Sequence, residues 1–246
     1  MTTLSVVITT YNEENNAPFA LESVKWADER IVVDGYSSDN TIKKIQPLVT
    51  CVVQSQNHEQ LNINKNLGFS MASSEWILCL DADERITESL GMKIRETIKG
   101  PKYDAYRFPR KNYFLGKWIM YGNWYPDFQV RLFQRGRGVF ECKHVHESLS
   151  VRGTIGTINE PLLHYSYPTS RTYFTKFNRY TNFEARFLTL PSFSEFFFWI
   201  PYHQFVRAFI KEHGFRDGWR GLLVAILSSL YYQVAYIKHF KLKHKV

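Results

Sequence analysis

The sequence predicts an α/β protein in which a mostly parallel central sheet is followed by a helical C-terminal region. Short apolar, β-branched runs alternate with helical patterns over residues 1–100, and this alternation is typical of parallel strands that are joined by helices. The segment 103–167 is rich in aromatic residues and glycines, and apolar, basic helical patterns begin at Ser170. We therefore expect one domain over 1–168 and a helical region over 169–246.

Four short runs have the length and composition of buried strands. They lie at 4–9, 30–34, 49–53 and 76–80. The helical patterns lie at 15–26, 39–44, 59–72 and 87–98. Asp39 and Thr87 begin two of these helices, where a side-chain oxygen can cap the first backbone N–H groups. The segment 103–167 is expected to add antiparallel strands and loops beside the sheet.

The composition excludes several classes of protein. Apolar residues make up 44% of the 246 residues and charged residues 22%, which is typical of a globular chain and not of a disordered or collagen-like one. Cys51, Cys79 and Cys142 lack the spacing of a zinc site or a disulfide framework and fit a reducing compartment. The first residues show neither the basic nor the apolar region of a secretory signal, so we expect a cytoplasmic protein.

Positive charge is concentrated in the second part of the chain. Residues 1–100 carry 9 Lys and Arg against 14 Asp and Glu, whereas residues 101–246 carry 22 against 9. Such a basic region favours an anionic partner (nucleic acid, a phosphorylated substrate or a membrane surface), although a solvated basic face gives the same count. No glycine-rich dinucleotide motif follows the first strand, and no phosphate-binding P-loop motif occurs in the sequence.

Two aspartates, Asp81 and Asp83, directly follow the predicted strand at 76–80. Carboxylates separated by one residue can hold a hard divalent cation, which in turn can bridge two phosphates. Ligands of parallel sheets bind beyond the carboxyl ends of the strands, and Asp34 and the turn at 9–13 follow two further strands. The pattern predicts a ligand site at this edge; a polar turn that caps the next helix is the alternative.

Several segments together resemble one enzyme family. They are VVITTYNEE (6–14), IVVDGYSSDNT (31–41), NKNLGFSMASSEWILCLDADE (64–84), PDFQVRLFQRGRGVF (126–140) and VHE (145–147). As a set they resemble the inverting family 2 glycosyltransferases, and among these the bacterial enzymes that add glucose to the inner core of lipopolysaccharide. The resemblance implies the nucleotide-sugar fold called GT-A, with a nucleotide-binding half over 1–100, an acceptor half over 101–168 and a UDP-sugar donor.

The resemblance also implies roles for single residues. Substrate would be bound along the strand ends by Thr10, Tyr11, Glu13, Asp34, Lys65 and Asp81. Asp34 would bond the uracil ring, and Asp81 would contact the ribose or the donor sugar. Asp83 would bind Mg²⁺ or Mn²⁺ on the diphosphate, with Asp81 beside it. A metal there neutralises the negative charge that the leaving nucleoside diphosphate gains as the glycosidic bond breaks.

An inverting transfer needs a general base that takes the proton of the acceptor hydroxyl. The resemblance and its polar neighbours favour Glu147; Asp127 is the alternative, or it orients Arg131. The Arg131 guanidinium suits phosphate, either of the donor or of the acceptor. His146 would form a hydrogen bond with substrate. His164 would reach the diphosphate or the metal, or it is a buried structural histidine.

The C-terminal region favours a membrane surface. Aromatic side chains crowd residues 192–210 beside basic ones, as in helices that lie in a membrane interface. Residues 221–237 carry no charge, but as a helix they extend roughly 25 Å, less than the roughly 30 Å hydrocarbon core of a bilayer. We therefore expect peripheral attachment to the anionic inner face of the cytoplasmic membrane. The alternative is a helical pair that completes the core or forms a homodimer.

The favoured function is hexose transfer, with glucose preferred, from a UDP-sugar to a lipopolysaccharide-core or other surface glycan, capsule included. A basic nucleic-acid-binding protein is the rival from another class, but the sequence contains no recognised base-reading module and we expect no nucleic acid partner. A metal-dependent phosphohydrolase that uses Asp81 and Asp83 and a non-catalytic scaffold are two further alternatives.

Overall fold

A computed structural model of the protein describes residues 2–58, 62–142, 147–188 and 192–243. The chain forms two compact units. The first contains Met1–Arg110 and Phe128–His164, and the second contains Lys111–Asp127 and Tyr165–Val246. The domain boundary expected at residue 168 stays a prediction, but this division groups residues 111–127 with the C-terminal helices.

Four parallel strands form the centre of the first unit. They are β1 (Leu4–Thr10), β2 (Glu29–Asp34), β3 (Cys51–Gln54) and β4 (Trp76–Asp81). Their order is β3-β2-β1-β4, and Thr10 pairs with Asp34 while Thr9 pairs with Asp81. Three strands therefore end at the same edge of the sheet. The predicted mixed α/β class with a mostly parallel sheet is confirmed.

Further strands follow β4 in the chain, and most of them extend this sheet. They are β5 (Glu84–Arg85), β6 (Ala105–Phe114), β7 (Lys117–Trp118), β8 (Asp127–Gln134), β9 (Gly138–Val139), β10 (Ser150–Val151), β11 (Ile155–Thr157) and β12 (Leu162–Tyr167). The order continues from β4 through β8, β6 and β12 to β5. β8 is antiparallel to β4, as expected for this segment, whereas β11 is parallel to β6. A separate two-stranded sheet contains β9 and β10.

Four helices cover the faces of the parallel strands. They are α1 (Ala17–Glu22), α2 (Thr41–Ile45), α3 (Asn62–Met71) and α4 (Glu88–Lys99). Thr87 caps α4 as predicted, because its side chain accepts from Leu90 N. α1 is shorter than the predicted helix at 15–26. Ser23 Oγ bonds the Ala20 carbonyl and Trp26 Nε1 bonds the Ser23 carbonyl, so side chains take carbonyls that a longer helix would use.

Successive residues of the central strands pack on opposite faces. Val6, Ile8 and Val32 belong to one apolar cluster, and Val7 and Ile31 belong to the other. Both faces are buried, which explains why these strands appear in the sequence as continuous apolar runs.

The second unit contains the C-terminal helices. They are α5 (Ser170–Phe187), α6 (Ile200–Phe205) and α7 (Trp219–Lys243), with π-helical turns at Glu195–Trp199 and Val206–Lys211. Among the described residues, α7 is the one helix that is long and apolar enough to cross a membrane. The expectation that this segment does not span the bilayer stays a prediction.

Candidate active site

Asp34, at the end of β2, is fully buried, and its carboxylate accepts hydrogen bonds from neighbouring residues. Its Oδ1 accepts from Thr10 Oγ1 at 2.9 Å and from Ser37 Oγ at 2.5 Å, and its Oδ2 accepts from Ser37 N at 2.8 Å. The residue has no exposed surface. In this structure the Asp34 carboxylate therefore orients the loop after β2, and the Thr10 hydroxyl helps to hold that carboxylate in place. The contact with uracil stays a prediction.

The loops after β1 and β2 bond to each other. Asn12 N donates to Ser37 Oγ at 2.8 Å, and Asn12 Oδ1 accepts from Ser38 N at 2.8 Å. This arrangement leaves Tyr11 and Tyr36 exposed. Tyr11 was predicted to bind substrate, and Tyr36 was not. Tyr36 lies in the motif 31–41, directly after Gly35. Its positive φ of 59° could not be predicted from the residue pattern.

Glu13 lies where α1 begins. Its carbonyl accepts from Asn16 N and Ala17 N at 2.9 Å, and its Oε2 accepts from Asn16 Nδ2 at 2.7 Å. Its own N–H donates to Thr41 Oγ1 at 2.9 Å. Glu13 thus stabilises the first turn of the helix next to the strand ends, and its predicted substrate contact is untested.

A network of opposite charges lies at the end of β4. Lys65 Nζ is 2.6 Å from Asp81 Oδ1, and Arg131 Nη2 is 2.6 Å from Asp81 Oδ2. Arg131 Nη2 also lies 2.5 Å from Glu84 Oε1, and Arg110 Nη1 lies 3.3 Å from the same oxygen. The structure therefore brings together the predicted residues Lys65, Asp81 and Arg131. It adds Glu84 and Arg110, to which sequence reasoning gave no role.

The network stabilises the ionised forms of its members. Burial opposes ionisation of Asp81, but Arg131 and Lys65 outweigh it and hold the pKa of that carboxyl well below its usual range. Burial likewise opposes the charged form of Arg131, yet Asp81 and Glu84 raise its pKa further above the ordinary value. Among the described residues, the buried Nε of Arg131 has no hydrogen-bond partner.

A second acidic residue, Asp83, lies two residues after Asp81. Asp83 Oδ1 is 3.4 Å from His164 Nε2, and both side chains are largely buried. β12 is antiparallel to β5, so that His164 pairs with Glu84 of the charge network. The structure thus brings the predicted residues Asp83 and His164 together at this edge of the sheet.

The donor set fits a divalent cation that a diphosphate helps to hold. Mg²⁺ in nucleotide sites is bound by one or two carboxylates plus substrate phosphates, and Asp83 and His164 offer one carboxylate and one imidazole. Over the described ranges, no group of three His, Cys, Asp or Glu residues could hold a metal by itself. The two oxygens of Asp81 contact Lys65 and Arg131, and its predicted role as a second metal ligand stays a prediction.

The two candidate bases have different partners. Glu147 Oε2 accepts from Cys142 N at 2.8 Å and lies 3.5 Å from Asn62 Nδ2. Asp127 Oδ2 accepts from Asn112 Nδ2 at 3.0 Å. Asp81 and Glu84 contact the Arg131 guanidinium, and the predicted orienting role of Asp127 stays a prediction. His146 lies outside the described residues.

Comparison with known proteins identifies the family of this chain. The sequence model of Glycosyl transferase family 2 matches residues 5–155. The lipopolysaccharide core biosynthesis glycosyltransferase LpsC of Rhizobium meliloti is 24% identical over 239 residues, which cover 93% of this chain and 88% of LpsC. The uncharacterized glycosyltransferase RC0292 of Rickettsia conorii is 27% identical, and the match covers 74% of this chain and 69% of RC0292.

A solved structure shares the fold. The structure of residues 1–349 of S. aureus TarS in complex with UDP has a TM-score of 0.50 and 15% sequence identity. The match covers 98% of this chain and 88% of that one. At this identity the likeness concerns the fold.

Proposed function

The protein belongs to glycosyl transferase family 2, and from this we propose that it transfers a hexose, preferably glucose, from a UDP-sugar to a lipopolysaccharide-core glycan. The observation that carries the proposal is the juxtaposition at the end of β4. There Lys65 and Arg131 pair with Asp81 at 2.6 Å, and Asp83 lies 3.4 Å from His164. Cationic side chains and a carboxylate beside an imidazole can bind a metal-bound nucleoside diphosphate.

The proposed reaction is a single displacement. The acceptor oxygen forms a bond with the anomeric carbon of the sugar while the bond from that carbon to the diphosphate oxygen breaks, so the configuration inverts. Glu147 takes the proton of the acceptor hydroxyl, and UDP leaves with the bonding electrons. A divalent cation held by Asp83 and His164 would supply neutralisation of the charge that develops on the diphosphate.

The donor is proposed from two supports. The TarS structure of similar fold holds UDP, and two exposed tyrosines, Tyr11 and Tyr36, lie on the loops that Asp34 orients. Aromatic rings can stack on a nucleobase. Lys65 and Arg131 keep Asp81 ionised, so that its oxygens are acceptors for the hydroxyls of a ribose or a sugar.

The proposed acceptor is supported by the relative LpsC, and the proposed attachment to a membrane is supported by α7. One side of α7 is buried in its unit, through residues that include Val224, Ala225, Leu227 and Ala235. Large apolar side chains remain exposed along its length: Trp219, Leu222, Ile226, Leu230, Ile237 and Phe240. Because one face of the helix packs on protein, we expect the helix to lie in the plane of one leaflet and not to cross the bilayer. The lysines Lys241 and Lys243 in its last turn favour anionic lipid.

Incubation with a panel of UDP-sugars and Mn²⁺ tests the transferase assignment. Release of UDP is measured with and without truncated lipopolysaccharide as acceptor. The proposal expects release that depends on one donor, the metal and the acceptor together. Release of phosphate from UDP without acceptor would favour a phosphohydrolase instead.

Sedimentation with vesicles tests the membrane proposal. We expect the protein to sediment with vesicles that contain phosphatidylglycerol and to remain in the supernatant with pure phosphatidylcholine. A stable dimer that binds neither kind of vesicle would contradict the membrane proposal. It would indicate that a second copy of the chain covers the exposed face of α7.

A further inference from the structure

Helix α3 makes three different polar contacts from one of its faces. Asn62, Lys65 and Asn66 follow each other at spacings of three and one residues, so all three lie on the same side of the helix. Lys65 holds Asp81 at 2.6 Å, Asn62 reaches Glu147, and Asn66 bonds the backbone of residue 140. One helix face thus contacts the charge network and the proposed base.

Asn66 bonds both polar groups of the Phe140 backbone. Its Nδ2 donates to the Phe140 carbonyl at 2.8 Å, and its Oδ1 accepts from Phe140 N at 3.0 Å. A carboxamide suits this task because it offers a donor and an acceptor side by side. The Phe140 ring also stacks on Phe69 of the same helix, with ring centroids 6.0 Å apart. Residue 140 is therefore fixed to α3 through its backbone and its ring.

The proposed base is tied to the same place. Two residues after Phe140, the N–H of Cys142 donates to Glu147 Oε2 at 2.8 Å. Asn62 of α3 supplies a second, longer contact of 3.5 Å to the same oxygen. The position of the Glu147 carboxylate thus depends on the segment that Asn66 holds.

α3 itself has no room to shift toward the sheet. A Cβ at Gly68 would lie 2.3 Å from Val7 Cγ1 and 3.2 Å from Val33 Cγ2, so the helix backbone lies directly on β1 and β2. The contacts from its polar face therefore start from a fixed position relative to the strand ends.

We propose that Asn66 is a positioning residue, which through Phe140 and Cys142 sets the place of Glu147 relative to Asp81, with Asn62 as its second support. The inference rests on the proposed role of Glu147 as the base. Loss of Asn66 leaves the contact between Lys65 and Asp81 in place, so donor binding is retained. The base is displaced, and turnover falls because small misplacements of a reacting group are costly.

Steady-state kinetics of Asn66→Ala test the inference in the full-length protein. We expect kcat to fall about 10- to 100-fold, while KM for the UDP-sugar stays within about threefold of wild type. Asn64→Ala is the matched control. Asn64 lies on the same helix, is buried, and its Nδ2 donates to the Gln56 carbonyl at 3.1 Å, so the kcat of this variant should stay near wild type.

Two further variants keep the inference falsifiable if Asn66→Ala does not fold. Asn66→Gln retains the donor and the acceptor and should regain part of kcat, and Asn62→Ala should lower kcat with the donor KM unchanged. Wild-type kcat in Asn66→Ala, or equal losses in Asn64→Ala and Asn66→Ala, would overturn the positioning role in an active enzyme. A wild-type protein without transferase activity would instead remove the proposed function.

Discussion

The guanidinium of Arg131 and the carboxylate of Asp81 lie 2.6 Å apart, and the same Arg131 nitrogen lies 2.5 Å from Glu84. This contact joins β8 to the end of β4, two strands that run antiparallel. Because Asp81 is separated from Asp83 by one residue, the ion pair also fixes the turn that carries the proposed metal ligand. The network thus joins two strands and supports the turn that carries the proposed metal ligand.

Arg131→Leu should lower the free energy of unfolding by about 3–5 kcal/mol, because it leaves the buried Glu84 without its main cation and removes one of the two cations that contact Asp81. Urea unfolding measures the change. Arg135→Ala, which removes an exposed arginine of the following turn, is the control and should stay within about 0.5 kcal/mol of wild type. Equal effects of the two substitutions would contradict the structural role of Arg131.

The stability lost in Asp81→Asn should depend on pH. The folded-state pKa of Asp81 lies below its unfolded value, so this carboxylate stabilises the fold above about pH 4 and the contribution is lost as the pH falls. The gap in unfolding free energy between wild type and Asp81→Asn should therefore be largest near neutral pH and shrink below about pH 4. A gap that stays constant from pH 7 to pH 3 would argue against the ion pair.

Asp83→Ala should abolish metal-dependent stabilisation by the donor. A ligand at a hundred times its Kd adds about 2.7 kcal/mol to the wild-type protein, and thermal unfolding with UDP and Mn²⁺ detects this. Glu96→Ala changes a carboxylate that pairs with Lys93 at 2.8 Å on the surface of α4 and should leave the stabilisation intact. Full stabilisation of Asp83→Ala by UDP and Mn²⁺ would remove Asp83 from the metal site.

Glu147→Gln should lower kcat by about 10²- to 10⁴-fold, since the amide cannot accept the proton of the acceptor hydroxyl. The donor KM should change little. Asp127→Asn is the matched comparison, because Asp127 is the alternative base and its bond to Asn112 can be kept by an amide. The reverse ranking of the two variants would transfer the role of base to Asp127.

Gly68→Ala should destabilise the protein by about 1–3 kcal/mol through overpacking, because the added Cβ meets Val7 Cγ1 at 2.3 Å. Gly100→Ala is the control, since a Cβ there meets nothing within 4 Å. Chemical denaturation of both variants measures the difference. Equal stability of the two would mean that α3 does not rest on β1 as closely as described.

The sequence alone determined the parallel half of the fold and the edge at which the candidate site lies. The strands predicted at 4–9, 30–34 and 76–80 agree with β1, β2 and β4 within a residue, because buried strands must be apolar on both faces. Asp34 and Asp81 could be assigned to one edge because parallel strands end together. The membership in a glycosyltransferase family was also readable, from motifs that are contiguous in the chain.

Only the tertiary structure decided which groups meet. Lys65, Arg131 and Glu84 come from three separate elements, and nothing in the local pattern around Asp81 specifies these partners. Asp34 gave the signal of a ligand-binding carboxylate, yet its loop uses the same oxygens for three hydrogen bonds. Asn66 lies in one of the family motifs, but the sequence assigned it no role, because it bonds a backbone 74 residues away. Periodicity reports which residues are buried, whereas charge pairing depends on strand register and on where each segment returns to the sheet.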